Sequence, residues 1–555
     1  MERKRALAKR IEELTLNLVS VRSVVGTKEE IDISNHIFSI FKQMPYYKVH
    51  PEHLIQLPFI NDSLNRTSVM ATLTGTRSKS DKTVVLIGHT DTVGVADYGD
   101  MVDLATMPAE LKSALKKLSL SEDIMADLNS EEYLFGRGIL DMKCGVAMIM
   151  AVMEDMANRL DEWEGTVVFC AVGDEEGNSG GMLSFVPELI KLKERHGYDY
   201  LAVLDTDYVA PRYDGDDHRY IYIGTVGKLM PSFYIVGKET HVGQPFNGLD
   251  PTQIAGAIIL KINKNIAYSD VVEGEVSLPP ITLQHRDLKA EYSVQIARAV
   301  NLYFNYATHN STPDQVMAKM LKAAYDSFYE IVSTLNERYD IFCKASHIET
   351  KPLTWKARVI SYQDLYNAVY AERGEVLVER IEALKSEMLK DSSIDERLFS
   401  QHIVSAVHNM WSDKDPVVIV YFSPPYYPHN YVRGESDKEK RLIETLKTVV
   451  TKHKGKRPIV GRKFYPYISD LSFASAPSSD RIESLKNNMP AYGSRYTLPI
   501  EDMQKLHLPV ANIGPFGKDA HQFTERIEKD YSFKVVPTIL YDTILKLLDD
   551  EETQK

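Results

Sequence analysis

Apolar residues recur at two alternating spacings along the first part of the chain, and this pattern predicts alternating helices and strands. Helical spacing near the start of the chain predicts a first amphipathic helix. The same spacing predicts further helices over residues 29–44, 145–153 and 182–193. Continuous apolar, β-branched runs predict strands at residues 68–75, 83–88 and 166–172. This alternation is typical of an α/β domain built on a mainly parallel sheet.

The middle of the chain predicts an inserted α+β unit. Two β segments around a glycine turn lie between residues 221 and 251, and a helix is predicted over residues 252–264. Further strands and helices are predicted at residues 292–306, 313–335, 357–362 and 364–410. The buried-type strand at residues 416–422 is interpreted as the return to the first domain. The predicted organisation is therefore a first domain formed by residues 1–216 and 414–555, with residues 217–413 inserted.

Composition and charge narrow the possible partners and the compartment. The 555 residues are 44% hydrophobic, which allows a large core, and the net charge of −13 argues against a general nucleic-acid-binding surface. No window reaches the roughly 18 consecutive apolar residues that a membrane span needs. Cys144, Cys170 and Cys343 include no close pair, and the basic start has no signal-peptide core. We expect a cytoplasmic protein without a nucleic-acid or membrane partner.

Acidic residues follow the predicted strand at residues 166–172. After Gly173 come Asp174, Glu175 and Glu176, at the end of a run that is otherwise apolar. Like charges beside a buried strand are costly unless a cation compensates them. The two adjacent glutamates therefore suggest one metal ligand and one proton carrier. The alternative is an acidic strand-to-helix loop that lies in water.

Other polar residues also stand at predicted element ends. His89 and Asp91 follow the strand at residues 83–88, and their spacing points both side chains to the same side, although His89 alone is compatible with a buried core histidine. Asp141 precedes a predicted helix, where it is either a helix cap or a carboxylate that bridges two metals. Asp205 and Asp207 end a further strand.

Five motifs, taken in order, resemble the di-zinc exopeptidases and deacylases. They are His89-x-Asp91, GRGILDMKCG around Asp141, the pair Glu175-Glu176, the acid at Asp205, and KDAHQFTERI around His521. That family includes glutamate carboxypeptidases, aminoacylases, acetylornithine deacetylase and succinyl-diaminopimelate desuccinylase. The length, the large middle and the stretch PPITLQHRDLKAEYSVQ look most like the arginine utilization (RocB) branch.

The resemblance implies a fold and a set of site residues. The fold would be a mainly parallel-sheet catalytic domain, with residues 217–413 as an inserted α+β lid and dimerisation domain. One metal would be held by His89, Asp141 and Asp205, and the other by Asp141, Glu176 and His521. Glu175 would be the general base, Asp91 would orient His89, and His241 of the lid would stabilise the oxyanion. Asp207 shares a face with Asp205 and stays an alternative ligand. The lid is larger than usual, so substrate-binding residues are unknown.

The implied function is hydrolysis of an amide bond in a small peptide or an N-acyl amino acid, with a place in arginine catabolism. Oxygen and imidazole ligands suit two Zn²⁺ per chain, with Co²⁺ or Mn²⁺ as substitutes. A homodimer would form through the lid domain. A di-metal hydrolase of phosphate esters is an alternative that predicts basic side chains around the site, and the motifs contain few. A metal-free binding or regulatory protein on the same fold would lack at least one metal-ligating residue, and this sequence contains all of those that the resemblance implies.

Overall fold

The computed structural model describes residues 2–349, 351–391, 393–453 and 456–549 of the chain. These residues form two compact units. The first comprises Met1–Thr225, Asn430–Ala476 and Pro499–Lys555, and the second comprises Val226–His429 and Pro477–Leu498. Residues 550–555, the end of the predicted first domain, lie outside the described residues. None of the described helices combines the length and the apolar character needed to cross a bilayer.

The first unit is built on an eight-stranded mixed sheet with helices packed against it. In spatial order the strands are Leu54–Pro58, Thr67–Thr74, Thr166–Val172, Lys82–His89, Asp199–Asp205, Val510–Asn512, Arg219–Tyr222 and Ile459–Arg462. The central strand pairs are parallel, whereas the first strands of this order pair antiparallel. The predicted mainly parallel α/β fold is therefore confirmed.

The first unit contains longer and shorter α-helices, and the four helices predicted in its first part are present. The longer ones are Glu2–Val19, Glu29–Gln43, Lys143–Ala157, Gly180–His196, Asp437–Lys452 and Val536–Leu548. The shorter ones are Pro45–Val49, Pro108–Leu115, Glu122–Asn129 and Ile500–Leu506. Helix Lys143–Ala157 is buried along most of its length, because residues 144–153 are apolar on every face. It therefore lies in the core and presents its N-terminus to the end of the sheet that carries the polar motifs.

The second unit contains a smaller, mainly antiparallel sheet. Its strands in spatial order are Ile281–Asp287, Ala299–Thr308, Pro231–Val236, Val417–Phe422 and Val359–Ser361, and the short strand Gly227–Leu229 also pairs with Ala299–Thr308. Its helices are Pro251–Ile262, Pro313–Ala345, Tyr362–Arg373, Glu375–Met388, Glu396–Met410 and Ser479–Asn488. Strands Val271–Val272 and Glu275–Val276 form a short antiparallel pair in this unit, whereas the three-stranded ribbon of Tyr133–Phe135, Gly517–Lys518 and Arg526–Glu528 belongs to the first unit.

The structure places the domain boundaries later than predicted. Strand Val417–Phe422 pairs antiparallel with Pro231–Val236 and parallel with Val359–Ser361, so it belongs to the second unit. The chain returns to the first unit at Asn430, and Pro477–Leu498 enters the second unit once more. The apolar run showed that this strand is buried on both faces, but an apolar pattern does not specify which sheet a strand joins. The interpretation of residues 416–422 as part of the first domain was wrong.

Candidate metal centre

Strand register brings the predicted site residues to one end of the main sheet. Strand Lys82–His89 lies between two parallel neighbours, in a register that pairs His89 with Val172 and Ile87 with Asp205. The acidic loop that follows Val172 therefore begins beside His89. Asp141 comes from the turn that leads into helix Lys143–Ala157. This end of a parallel sheet is where open α/β folds place their ligands.

Asp141 lies between two histidines that are far apart in sequence. Its Oδ1 is 2.9 Å from Nε2 of His89, and its Oδ2 is 2.9 Å from Nε2 of His521. The same His521 nitrogen is 2.7 Å from Oε1 of Glu176. One ligand atom from each of His89, Asp141 and Glu176 lies within 4.8 Å of the other two. The carboxylate of Asp141 thus presents one oxygen to each histidine, as a carboxylate that bridges two cations does.

The charges at this centre favour bound cations. Burial tends to lower the pKa of His89, but hydrogen bonds to Asp141 and Asp91 outweigh it and raise that pKa well above its usual range. Burial opposes protonation of His521 too, yet Asp141 and Glu176 raise its pKa to about 10. Burial would raise the pKa of Asp141, but the two histidines lower it instead. The carboxylates therefore attract positive charge, and a pair of divalent cations would supply it.

Asp91 connects His89 to the acidic loop. Its backbone carbonyl is 3.0 Å from Nδ1 of His89, and its carboxylate oxygen is 3.7 Å from that nitrogen. The carboxylate accepts hydrogen bonds from the backbone N–H groups of Glu175 and Glu176, at 3.2 and 3.0 Å. Asp91 thus lies where it can hold both the histidine ring and the two glutamates in place.

Glu175 and the two strand-end aspartates share a small cavity with His89. Burial raises the pKa of Glu175 well above its usual range, with a smaller contribution from Glu176. Burial also raises the pKa of Asp205, to about 6, and that of Asp207 well above its usual range. Asp205 accepts hydrogen bonds from the Ser469 hydroxyl at 2.9 Å and from its neighbour's backbone N–H. Both aspartates lie beside His89, so the choice between them as ligand stays open.

Asp470 is a further carboxylate of this cavity that the sequence motifs did not indicate. It is 3% exposed, and neither of its oxygens has a hydrogen-bond partner of normal geometry among the described residues. Burial raises its pKa to about 8, and the nearby Ser179 hydroxyl offsets only part of that effect. Asp470 stands in a short 3₁₀ helix within the stretch YPYISDLSFA, where no sequence pattern marks it as a site residue.

A buried ion pair holds the backbone of the turn that carries Asp141. Glu525 is completely buried and accepts the backbone N–H groups of Leu140 and Asp141, at 3.0 and 3.3 Å. Its other oxygen accepts Nη1 of Arg137 at 2.9 Å, and Nη2 of Arg137 donates to Asp97. Arg137 lies in the motif around Asp141, and Glu525 lies in the motif around His521. A further charged residue in each motif was therefore the only sign in the sequence of this supporting pair. Sequence reasoning did not assign them a role.

A second buried network holds the acidic loop. Nη1 of Arg66 donates to Glu30 and to Asp174, each at 2.7 Å, and the guanidinium also contacts Asp62. Glu30 in turn accepts the backbone N–H of Asp174 at 2.9 Å. The carboxylate of Asp174 is thus paired with Arg66, whereas that of Glu176 contacts His521 of the metal centre. Arg66 lies in a polar loop, and no spacing in the sequence connects it to the loop it supports.

His241 lies in the second unit and is exposed. Its Nδ1 accepts the backbone N–H of Gly243 at 3.0 Å. In the neutral ring the proton must then reside on Nε2, which makes that nitrogen a hydrogen-bond donor.

Comparison with known proteins identifies the family of this chain. A family model described as peptidase family M20/M25/M40 matches residues 85–338. RocB of Bacillus subtilis (strain 168) is 34% identical over 544 residues, which cover 98% of this chain and 95% of RocB. The chain belongs to the M20 peptidase family. A succinyl-diaminopimelate desuccinylase of Cupriavidus necator is 24% identical over 264 residues, 47% of this chain and 61% of the relative. Aminopeptidase PepT of Bacillus cereus shares the fold, with a TM-score of 0.53 and 13% identity over 98% of this chain and 99% of PepT.

Membership of the M20 family confirms three of the predictions. The resemblance to the di-zinc exopeptidases and deacylases is confirmed, as is the closer resemblance to RocB. The predicted fold class is confirmed by the likeness to the solved structure of aminopeptidase PepT. The predicted enzyme class is also confirmed, so the chain is a metal-dependent hydrolase of the M20 family. The roles assigned to individual site residues stay predictions.

Proposed function

We propose that this M20 enzyme uses two zinc ions to hydrolyse an amide bond in a small peptide or an N-acyl amino acid. The observation that carries the proposal is the placement of Asp141 between His89 and His521, with one carboxylate oxygen 2.9 Å from each imidazole. A carboxylate shared between two metal-binding halves is the arrangement that a di-metal hydrolase requires.

The donor set fits zinc. The predicted ligands are imidazole nitrogens and carboxylate oxygens, which suit Zn²⁺ and also accept Co²⁺ or Mn²⁺. His89, Asp141 and Asp205 would hold one ion, and Asp141, Glu176 and His521 would hold the other. Two such ions, when bound, supply an acidified water and polarise the amide carbonyl.

Glu175 is the proton carrier in this proposal. It adjoins Glu176, lines the cavity beside His89, and its backbone N–H is held by Asp91. Burial raises the pKa of its carboxyl group, which makes the carboxylate a stronger base than that of an exposed glutamate. Glu175 would accept the proton of the attacking water at its carboxylate and pass it to the leaving nitrogen.

His241 is the proposed oxyanion donor of the second unit. Its Nδ1 accepts a hydrogen bond within its own turn, so Nε2 carries the donor proton that an oxyanion needs. We further propose that the second unit acts as lid and dimerisation domain. Strand Ile281–Asp287 forms the edge of its sheet, and Ile281 and Leu283 on it are exposed. An edge of this kind can pair with a second chain.

The substrate proposal rests on the relatives. The resemblance to the arginine utilization branch makes acylated or peptide-bound arginine the first substrates to test, and the desuccinylase relative adds N-succinyl amino acids. A cytoplasmic location is proposed with it, because all three cysteines are buried and free, as in a reducing compartment.

The proposal is tested by metal analysis together with a mass-spectrometric screen. Purified full-length protein is stripped of its metal ions and reloaded with zinc. It is then incubated with peptides and N-acyl amino acids, including arginine derivatives. We expect cleavage of an amide in at least one compound, loss of cleavage after chelation, and recovery with zinc. Cleavage that persists in the stripped protein, or in Glu175→Gln, would refute the mechanism.

A further inference from the structure

A second cluster of metal-ligating side chains lies in the first unit, outside the site described above. His50, Glu52 and His53 stand in the tight turn between helix Pro45–Val49 and the edge strand Leu54–Pro58. One ligand atom from each lies within 4.8 Å of the other two. Backbone hydrogen bonds from His50 to Tyr46 and from His53 to His50 hold the turn, so its three side chains project from a fixed backbone.

The distances in this His50 cluster suit coordination better than hydrogen bonding. Oε1 of Glu52 is 3.5 Å from Nδ1 of His50 and 3.8 Å from Nε2 of His53. Both distances exceed the usual hydrogen-bond range of about 2.7–3.2 Å. Two ligand atoms on a tetrahedral zinc, each roughly 2.0–2.2 Å from the ion, are separated by roughly 3.3–3.6 Å. The separation of Glu52 Oε1 from Nδ1 of His50 falls in this range, and its separation from Nε2 of His53 lies just above it.

One imidazole of the cluster is also oriented from outside. Nδ1 of His53 is 2.8 Å from the hydroxyl of Tyr46, which is largely buried and accepts the backbone N–H of Thr74 from the main sheet. The rings of His50 and His53 stack, with centroids 5.2 Å apart and planes 17° from parallel. The contact with the Tyr46 hydroxyl holds the second nitrogen of His53. Metal-binding histidines typically have such a contact, because it sets the orientation of the ring.

We propose that His50, Glu52 and His53 form a second, separate site for a divalent cation of the zinc type. Two imidazoles and one carboxylate are ligands that Zn²⁺, Cu²⁺ and Ni²⁺ accept, and solvent completes the coordination because the cluster is partly exposed. The cation ties the turn that precedes strand Leu54–Pro58 and so stabilises this edge of the main sheet. The proposal is independent of the catalytic function.

The test counts zinc in the full-length protein. Stripped protein is titrated with Zn²⁺ against a chromophoric chelator for wild type, for the double variant His50→Gln/His53→Gln, and for His196→Gln. Because the charge of His196 also acts on His53, a further single variant, His507→Gln, is titrated beside it; His507 is an exposed histidine of the same unit and serves as the matched control. We expect the double variant to bind one zinc fewer than wild type, the control to match wild type, and turnover at saturating zinc to be unchanged in every variant. Equal zinc counts for wild type and double variant would overturn the proposal.

Two further measurements identify the ligands. In stripped wild type loaded with Cu²⁺, electron paramagnetic resonance should show imidazole couplings from this site in addition to those of His89 and His521, and the double variant should lack only the additional couplings. Tyr46→Phe should weaken zinc binding at the site by about tenfold, the usual effect of removing an outer hydrogen bond to a ligand. The difference of one zinc remains measurable whether or not the catalytic centre binds two, so failure here and failure of the proposed function are distinguishable.

Discussion

Glu525→Gln tests whether the buried ion pair behind Asp141 positions the metal bridge. The native carboxylate accepts two backbone N–H groups, of Leu140 and Asp141, and one charged bond from Arg137 at 2.9 Å. Glutamine keeps one acceptor oxygen for the backbone but loses the charge-assisted bond, which is worth roughly 1.5–3 kcal/mol. The turn that carries Asp141 then loses part of its support from the loop between His521 and strand Arg526–Glu528.

Weakened support should appear as weaker metal binding. Loss of an outer partner of a ligand typically reduces metal affinity by about 10- to 100-fold, or roughly 1.4–2.7 kcal/mol. We expect a loss in this range for the more weakly held of the two catalytic zinc ions, measured by chelator competition in the His50→Gln/His53→Gln background. Turnover should recover at high zinc, because Glu525 does not touch the substrate.

Glu528→Gln is the matched control. Glu528 ends strand Arg526–Glu528, which begins directly after Glu525, and pairs with Arg219 at 2.6 Å; among the described residues no hydrogen bond or ion pair joins its side chain to the Asp141 turn. The control variant should unfold at lower temperature than wild type and should bind zinc with wild-type affinity. Wild-type zinc affinity in Glu525→Gln, or an equal loss in both variants, would show that the ion pair supports the fold and not the bridge.

Three further predictions concern the catalytic residues. The catalytic centre should take two zinc per chain, and chelation should abolish turnover; saturation at one zinc, with binding unaffected by His521→Ala, would contradict the two-metal assignment. Glu175→Gln should keep both metals and lose roughly 10²- to 10⁴-fold in kcat, whereas Glu176→Ala should weaken one metal; near wild-type turnover in Glu175→Gln would show that it is not the base. His241→Ala should lower kcat by roughly 10²- to 10³-fold with unchanged metal content, checked by steady-state kinetics beside metal analysis. If a dimer supplies His241 in trans, mixing inactive Glu175→Gln and His241→Ala chains should restore part of the activity, and unaltered kcat in His241→Ala would exclude its role.

Local pattern in the sequence was enough to predict the longer helices in the first part of the first unit and the central strands of its sheet. The strand at residues 166–172 was predicted with the bounds that the structure has, because a short β-branched apolar run between polar turns has few alternatives. The position of His89 and of the acidic loop followed from the same rule, since the carboxyl ends of neighbouring parallel strands lie together. The resemblance carried by the order of the motifs then implied which histidines and acids meet. The family membership on which that implication rests is confirmed.

Tertiary structure decided which distant segments support those residues. Glu525 and Arg137 are 388 positions apart, and Arg66 reaches Asp174 across 108 positions, so no periodicity along the chain connects either pair. Asp470 enters the cavity from a short 3₁₀ helix that carries no spacing signal. Strand Val417–Phe422 joined the second sheet, although its apolar run suits either sheet equally well. The pattern of apolar residues indicates how deeply each segment is buried. Which side chain pairs with a buried charge, and which strand pairs with a buried strand, depends on contacts that form only when the whole chain packs.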